Sequence, residues 1–408
     1  MALFPQLHRA ENFRSVALPF FTSRMSRDHS VSPSPHPPAC WLPTGAEAYA
    51  RMLEVIARAQ HSIRLETYIY RADRSGERFR VALIGAAQRG VRVHVLIDGF
   101  GAASLPFEYW RELEEAGGIV HVFNPLSLRG FGLRNHRKLL LVDDALAIVG
   151  GFNIGDEYSG DGVETGWRDL GVELYRPRAI RQLAGSFDEI FRDNLLRRML
   201  RHPLQRFPWR RNPAFGQKGP VLFSGPFLRN QFRIALLSQL KRARHVQIVC
   251  AYFVPNLRLR RALRAVALRG GTVELVLAAK TDVPPVQAAS RSLYGPLLRA
   301  GVRIWEYQPQ ILHTKLAIVD GVVFAGTSNL DARSFAINYE LMVRLRDARV
   351  VAEAREIFAA DRSHSAEITL AEWKKSRTWL TRLRGACARF LVTKIDPWVA
   401  RRQLRRLT

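Results

Sequence analysis

Three cysteines in 408 residues, at positions 40, 250 and 387, are too few and too scattered for a disulfide framework, and no Cys-x2-Cys or His-x3-His pair exists to hold zinc. No run of 18 apolar residues occurs, so nothing in the sequence is long and apolar enough to span a bilayer. Near the N-terminus the apolar stretch 16–21 is short, is interrupted by Pro19 and has no small-residue cleavage pattern after it, so no signal peptide is expected. Acids are scarce beside bases: 36 against 62, a net charge of +26. That excess is the footprint of a partner that is an anionic surface or an anionic polymer. Lysine is scarce too. It supplies eight of the 62 basic residues, and arginine the other 54.

Two of those eight lysines sit in a pattern that occurs twice, His-x-Lys-x4-Asp. The first copy is His136, Lys138 and Asp143; the second is His313, Lys315 and Asp320, and all six are expected to be catalytic. Each leads into a Gly-rich turn with an asparagine, Gly150-Gly151-Phe152-Asn153 and Gly326-Thr327-Ser328-Asn329. Chance supplies about 0.01 such matches at this composition, so two are a signal. A single copy reads equally well as a surface His and Lys with a turn aspartate.

On an extended strand, His and Lys two residues apart share a face. A neutral imidazole there can attack phosphorus, and an ammonium can neutralise a phosphoryl oxygen. Two such faces across a cleft place two His and two Lys around one phosphate. One histidine becomes a phospho-histidine, and the other serves as acid and then base. Asn153 and Asn329 are expected to donate to the same oxygens. Lysines supply the positive charge, so neither a metal nor another cofactor is required.

The duplication extends beyond the motifs. Residues 61–68 match 245–252 at an offset of 184, and Ala116-Gly117 to Pro125 matches Ala300-Gly301 to Pro309 at the same offset. The motif histidines differ by 177, so the first half carries seven extra residues within 126–134, just before His136. Leu126, Leu128, Phe131 and Leu133 alternate there with Arg129 and Arg134, which suits a loop at the rim of a cleft that meets acyl chains and phosphates. Downstream, each half has an acid in a strand-like run, Asp169 and Glu340. Such an acid can fix a histidine tautomer, or it can be an ordinary ion-pair acid. Periodicity predicts a helix over 46–60, a strand over 62–70, a helix over 79–89 and a strand over 91–98. The order repeats after residue 223, which argues an α/β fold with strands buried on both faces.

These residues resemble the phospholipase D superfamily, and within it the bacterial cardiolipin synthases. The paired motifs with their Gly-rich turns carry the first resemblance. Glu66-Thr67-Tyr68, Trp167-Arg168-Asp169, the run from Ala251 to Pro255 and the run from Asn329 to Ser334 carry the second. The resemblance spans about residues 41–361. It implies two phospholipase D-like halves, each a mixed β-sheet flanked by helices, related by a pseudo-two-fold axis with the active site between them. It implies transfer of a phosphatidyl group from one phosphatidylglycerol to another with release of glycerol, with His136 as nucleophile. Two departures stand out: five residues, not six, separate Asp320 from Gly326, and the first downstream acid is Asp rather than Glu.

The expected organisation is an N-terminal segment with a Ser/Pro-rich linker (1–40), half one (41–196), a basic linker (197–218), half two (219–361) and a basic tail (362–408). Residues 197–211 hold six arginines and no acid, with Phe207 and Trp209 among them; residues 374–406 hold eleven basic residues against one acid, Asp396. In the tail Trp379, Leu383, Cys387, Phe390 or Leu391, and Ile395 recur at helical spacing before Asp396-Pro397 and Trp398. That stripe suits an anionic membrane interface, or packing on the body with arginines in water. The expected location is the cytoplasmic face of the cell membrane, peripherally attached. A hydrolase with water as acceptor, or a nuclease drawn by the same charge, uses the same site chemistry. Aromatics interleaved with the basic clusters tilt the reading to lipid, and no specific nucleic-acid partner is expected. Oligomeric state stays open.

Overall fold

A computed structural model describes residues 38–125, 132–192, 219–226 and 228–395. The first sheet contains β1 (Ala39–Leu42), β2 (Ser62–Thr67), β3 (Arg92–Asp98), β4 (Ile119–Phe123), β5 (Leu139–Val142), β6 (Leu146–Gly150) and β7 (Gly171–Leu174). The second contains β8 (Val221–Ser224), β9 (His245–Cys250), β10 (Thr272–Ala278), β11 (Arg303–Tyr307), β12 (Lys315–Val319), β13 (Val322–Gly326), β14 (Glu340–Leu345) and β15 (Ser365–Glu367).

The strand orders are β1-β7-β6-β5-β2-β3-β4 and β15-β11-β10-β9-β12-β13-β14-β8. Reversing the first makes the repeat explicit: β4 corresponds to β11, β2 to β9, β5 to β12 and β1 to β8, with β15 added at one edge. Both sheets are mixed. β2, β3 and β4 run parallel, as do β9, β10 and β11, and the remaining pairs are antiparallel.

Several of the longer helices begin where the sequence offers a short polar cap. Thr44 accepts from Glu47 N ahead of Gly45–Arg58, Asp73 accepts from Gly76 N ahead of Arg74–Gln88, and Asn256 accepts from Leu259 N ahead of Leu257–Leu268. Period-two patterning then divides each strand between two cores. In β5, Leu139 and Leu141 join a central core with Leu316 and Ile318 of β12 and with Leu183, Phe187, Val350 and Phe358. Leu140 and Val142 face the other way, into a core with the helices Gly45–Arg58 and Arg74–Gln88. The second sheet's outer core is built the same way. The layers are therefore helices, sheet, the two helices Pro177–Arg192 and Ala348–Ser363, sheet, helices.

The Ser/Pro-rich segment 1–37, the basic stretch 197–211, and residues Leu126, Leu128, Arg129 and Phe131 of the expected rim loop lie outside the described residues. Two members of that loop are described, and they correct the expectation. Leu133 and Arg134 are buried, with Leu133 in the central core and the Arg134 guanidinium 5.0 Å from the Phe100 ring centre. Their backbone is held inward because Asn124 Nδ2 donates to Leu133 O and Tyr339 N donates to Arg134 O.

Candidate active site

The parallel strands of each half end at a common seam, and there the two halves exchange backbone bonds. Asn135 bridges Tyr339, and Leu312 bridges Arg168. His136 N donates to Tyr339 O at 3.0 Å; His313 N donates to Arg168 O at 2.7 Å. The two bridges are images of one another, because Asn135 and Leu312 each precede a motif histidine and Tyr339 and Arg168 each precede a downstream acid.

This crossing decides which acid meets which histidine. His136 Nδ1 lies 3.1 Å from Glu340 Oε2, and His313 Nδ1 lies 2.6 Å from Asp169 Oδ2. Each acid serves the other half's histidine. A carboxylate only accepts, so Nδ1 carries the hydrogen and Nε2 is left as the bare, nucleophilic nitrogen. Glu340 is fixed in turn by Thr327, whose hydroxyl donates to the same oxygen at 2.6 Å. In the first half the matching turn residue is Gly151, and a Cβ there would lie 2.1 Å from Asp169 Oδ1. The shorter acid and the bare glycine thus occupy the space that Thr327 and Glu340 fill in the other half.

Lys138 and Lys315 are buried beside the histidines, and each folds its ammonium back onto the carbonyl of its own histidine, His136 O at 2.8 Å and His313 O. Burial dominates the electrostatics. It lowers His136 to about 4, against the pull of Glu340, and Lys138 to about 7. His313 and Lys315 are lowered as well, again by burial first. Influence crosses the seam: Lys315 helps to lower His136, and Lys138 helps to lower His313. Burial thus disfavours the cationic forms in this cluster, and an entering phosphodiester anion would relieve that.

Aromatic rings enclose the imidazoles. Tyr68 lies 5.0 Å from the His136 ring, and the Lys138 ammonium sits 5.4 Å from the Tyr68 ring centre. Tyr158, Trp167 and Tyr252 surround His313 at 5.5, 5.6 and 6.5 Å.

The sequence profile of the family described as "Cardiolipin synthase, PLD-like domain" matches residues 52–191 and 236–362. The chain is 34 % identical over 362 residues to the major cardiolipin synthase ClsA of Bacillus subtilis, covering 85 % of this chain and 73 % of that protein. It is 32 % identical over 350 residues to cardiolipin synthase B of Shigella flexneri, covering 83 % of each. The chain belongs to the cardiolipin synthase branch of the phospholipase D superfamily. Among solved structures, the phosphatidylserine synthase of Haemophilus influenzae matches with a TM-score of 0.70 at 15 % identity, covering 89 % of this chain and 95 % of that one. At that identity the likeness speaks for the fold alone.

Against this family's paired motif, the structure gathers His136, Lys138, His313, Lys315, Asp169 and Glu340 at the seam. Asp143 and Asp320, expected with the catalytic groups, are not among them. Both sit in turns with positive φ, 52° and 50°. Asp143 accepts from the backbone N–H groups of Gln60, His61 and Ser62; Asp320 accepts from those of Arg244 and His245. They pin the far end of each motif strand to the start of the neighbouring parallel strand. Asn153 is buried with Oδ1 tied to Ile69 N at 3.0 Å, which leaves its amide N–H2 as the donor end. Asn329 is buried at the equivalent turn.

Three supports were not legible in the motifs. Arg137, the middle residue of the first motif, is buried and paired with Glu66 at 2.9 Å, while Asn135 Nδ2 donates to the same carboxylate. Arg168 is buried against Asp361 at 2.6 Å and donates to the carbonyl of Asp169, locking the acid's backbone. Tyr68 and Tyr252 follow β2 and β9 at the repeat offset, and that shared offset was the available signal. Among the described residues no group of three or more His, Cys, Asp or Glu side chains converges as a metal site.

Proposed function

We propose that this protein is a cardiolipin synthase acting on phosphatidylglycerol at a membrane surface. The crossed histidine–acid pairs across one seam carry the reading. They supply two oriented imidazoles and two ammonium groups around a space for a single phosphodiester.

His136 Nε2 attacks phosphorus, and the bond from phosphorus to the glycerol oxygen breaks. His313, protonated once the phosphodiester anion has entered, gives its proton to the departing glycerol. A hydroxyl of a second phosphatidylglycerol then approaches, neutral His313 takes its proton, and the alkoxide displaces His136 from phosphorus. One P–O bond is lost and one is gained, and both histidines return to their starting state. Lys138 and Lys315 neutralise the non-bridging oxygens, and Asn153 and Asn329 donate to them. His136 is the more accessible of the two rings, with 12 % of its side chain exposed against 5 % for His313, which supports it as the attacking group. The aromatic wall at His313 supports a lipid alcohol over bulk water as acceptor. No helix among the described residues is long and apolar enough to cross a membrane. We place the enzyme at the cytoplasmic face.

The test is incubation with labelled phosphatidylglycerol in detergent, followed by lipid separation. Cardiolipin with stoichiometric glycerol is expected. Phosphatidic acid alone would make the enzyme a hydrolase; nicked DNA without lipid turnover would make it a nuclease.

A further inference from the structure

The helices Leu370–Lys375 and Trp379–Phe390 carry features that the catalytic seam does not use. The second packs on the body through its small residues. Gly385 is buried, and a Cβ there would lie 3.0 Å from Ser292 Cβ. Ala388 and Val392 rest on Val254, Ala289 and Leu293. The large apolar side chains point elsewhere. Trp379 is 70 % exposed, Leu383 54 % and Phe390 59 %, and Leu380, Leu391 and Ile395 are exposed too. At 100° per residue, Trp379, Leu383 and Phe390 share one face, nearly opposite Ala388 and Val392. Arg382 and Arg389 border that face on one side; on the other Leu380 widens it, and Arg384 lies beyond, toward the packed side. A helix of a soluble body buries its apolar stripe; this one presents it.

Two hollows lie where this helix meets Pro284–Arg291. One, of about 510 Å³, is lined by Arg377, Arg384, Trp373, Thr381 and the pair Arg291–Glu306, joined at 2.6 Å, which leaves Arg377 and Arg384 as the cations not bonded to that acid. The other, of about 800 Å³, is apolar, lined by Pro284, Pro285, Cys387, Phe390 and Leu391; both include Ala288 and Arg384 in their walls. The Arg377 guanidinium stacks 4.9 Å from the Trp373 ring centre, and its enclosed Nε makes no hydrogen bond among the described residues. Burial, with Arg382 and Arg389 nearby, disfavours its charge, and an anion would relieve that. The arm also leads to the catalytic rim. Pro284–Arg291 follows Asp282, which accepts from Tyr252 Oη at 2.6 Å, and Tyr252 is one of the rings around His313.

We propose that residues 370–395 dock the protein on an anionic phospholipid bilayer, with Trp379, Leu383 and Phe390 among the acyl chains and one anionic head group held by Arg377 and Arg384, outside the catalytic seam. The proposal deepens the functional reading above and rests on its placing the substrate in a bilayer. Charge selects the occupant. Residues 370–395 hold seven Lys and Arg against one acid, Glu372, so a second copy of this chain would bring like charge to the same face.

The test uses the full chain and sedimentation with vesicles of phosphatidylcholine, with and without phosphatidylglycerol. Wild type should pellet only with the anionic vesicles. The double variants Leu383→Glu/Phe390→Glu and Arg377→Gln/Arg384→Gln should each lose about tenfold or more in binding, while keeping turnover of detergent-dispersed substrate. Brominated acyl chains should quench the Trp379 signal, taken as the difference between wild type and Trp379→Phe. That reading stands even where a double variant folds poorly. Unchanged vesicle binding in both double variants, or an unquenched Trp379, overturns the proposal. So does loss of a dimer in Leu383→Glu/Phe390→Glu with vesicle binding intact, which would make the face a self-association surface. The two readings fail separately. Docking lost in the variants with no cardiolipin from dispersed lipid sinks the functional reading alone. Cardiolipin made by wild type with normal docking of the variants sinks this one alone.

Discussion

Glu340, from the second half, receives the Nδ1 hydrogen of His136, from the first, across 3.1 Å. Asp169 does the converse for His313 at 2.6 Å. Neither half contains a complete histidine–acid pair, so neither half alone can orient its nucleophile. Replacing either acid by its amide keeps the shape but offers a donor where an acceptor is needed, which favours the wrong tautomer. Glu340→Gln and Asp169→Asn should each lower turnover by about 10³–10⁴-fold, the scale seen when a triad acid is changed to its amide. Melting temperature should move little. Activity within a factor of about ten of wild type would remove the acids from the mechanism.

The two acids are held differently, and the difference is testable at the turn residues. Thr327 donates to Glu340, whereas Gly151 makes room for Asp169. Thr327→Val keeps the volume and removes the hydroxyl. It should loosen Glu340 and weaken its hold on His136, seen as a shifted pH profile of turnover with KM little changed. Gly151→Ala should instead displace Asp169, because no rotamer change moves a Cβ. Its damage should match Asp169→Asn and should not add to it in the double variant. Additive losses would mean that Gly151 acts by some other route.

Much of this arrangement was legible in the sequence, and the rest was hidden for physical reasons. The repeat offset, the paired His-x-Lys and the alternation of helices and strands pointed to a duplicated α/β fold, and the family resemblance added the mixed sheets and the site between the halves. The crossing was not legible, because both acids follow a motif at similar spacing and only the bridges Asn135–Tyr339 and Arg168–Leu312 choose between partners. Asp143 and Asp320 were expected at the site through closeness in sequence. A strand advances about 3.3 Å per residue, so five residues beyond the lysine lie roughly 16 Å away. What seats the tail was hidden in another way. Its large apolar residues dominate the periodicity, while two of the residues that seat it, Gly385 and Ala388, carry little hydrophobic signal.

Asp143 should accordingly matter for stability and not for chemistry. Its carboxylate accepts from three backbone N–H groups; burial pushes its pKa up, and those three donors outweigh the push and hold it below the usual carboxylate value. Asp143→Ala leaves those donors unmet and puts alanine at positive φ. A loss of about 1–3 kcal/mol in unfolding free energy is expected. Turnover per folded molecule, measured well below the new melting temperature, should stay at the wild-type level. A large fall in turnover with an unchanged melt would return Asp143 to the catalytic group.

Burial of His136 links the site to pH. Its folded pKa of about 4 lies below the unfolded value near 6.5, so the unfolded chain takes up the proton first as pH falls. Stability contributed by neutral His136 is full above pH 6.5 and is lost between 6.5 and 4, by about 3 kcal/mol in all. Asp98 and Asp331 act in the opposite sense. Burial raises each to about 6, so the folded protein binds their protons first and gains stability as pH falls from 6 toward 3.8. The whole-protein curve therefore mixes signs. The diagnostic quantity is the difference between wild type and His136→Asn, which should turn against wild type by about 3 kcal/mol from pH 7 to pH 4. A difference that does not vary with pH would show that His136 is not desolvated.

The order of the two histidines can be read from where phosphate stops. If His136 attacks and His313 handles protons, His313→Ala can still reach the phospho-histidine slowly, since glycerol can leave with a proton from water, but it cannot activate the second alcohol. It should accumulate an acid-labile, base-stable phosphatidyl-protein when given phosphatidylglycerol labelled in the phosphate. His136→Ala has no nucleophile at that position and should remain unlabelled. Both variants should lose most turnover, because the two imidazoles act as a unit and removing either removes the path. Quenched aliquots separated on a gel would report the label directly. Label in His136→Ala alone would reverse the assignment, with His313 as the attacking residue. Label in neither, with substantial turnover in either, would end the two-histidine mechanism.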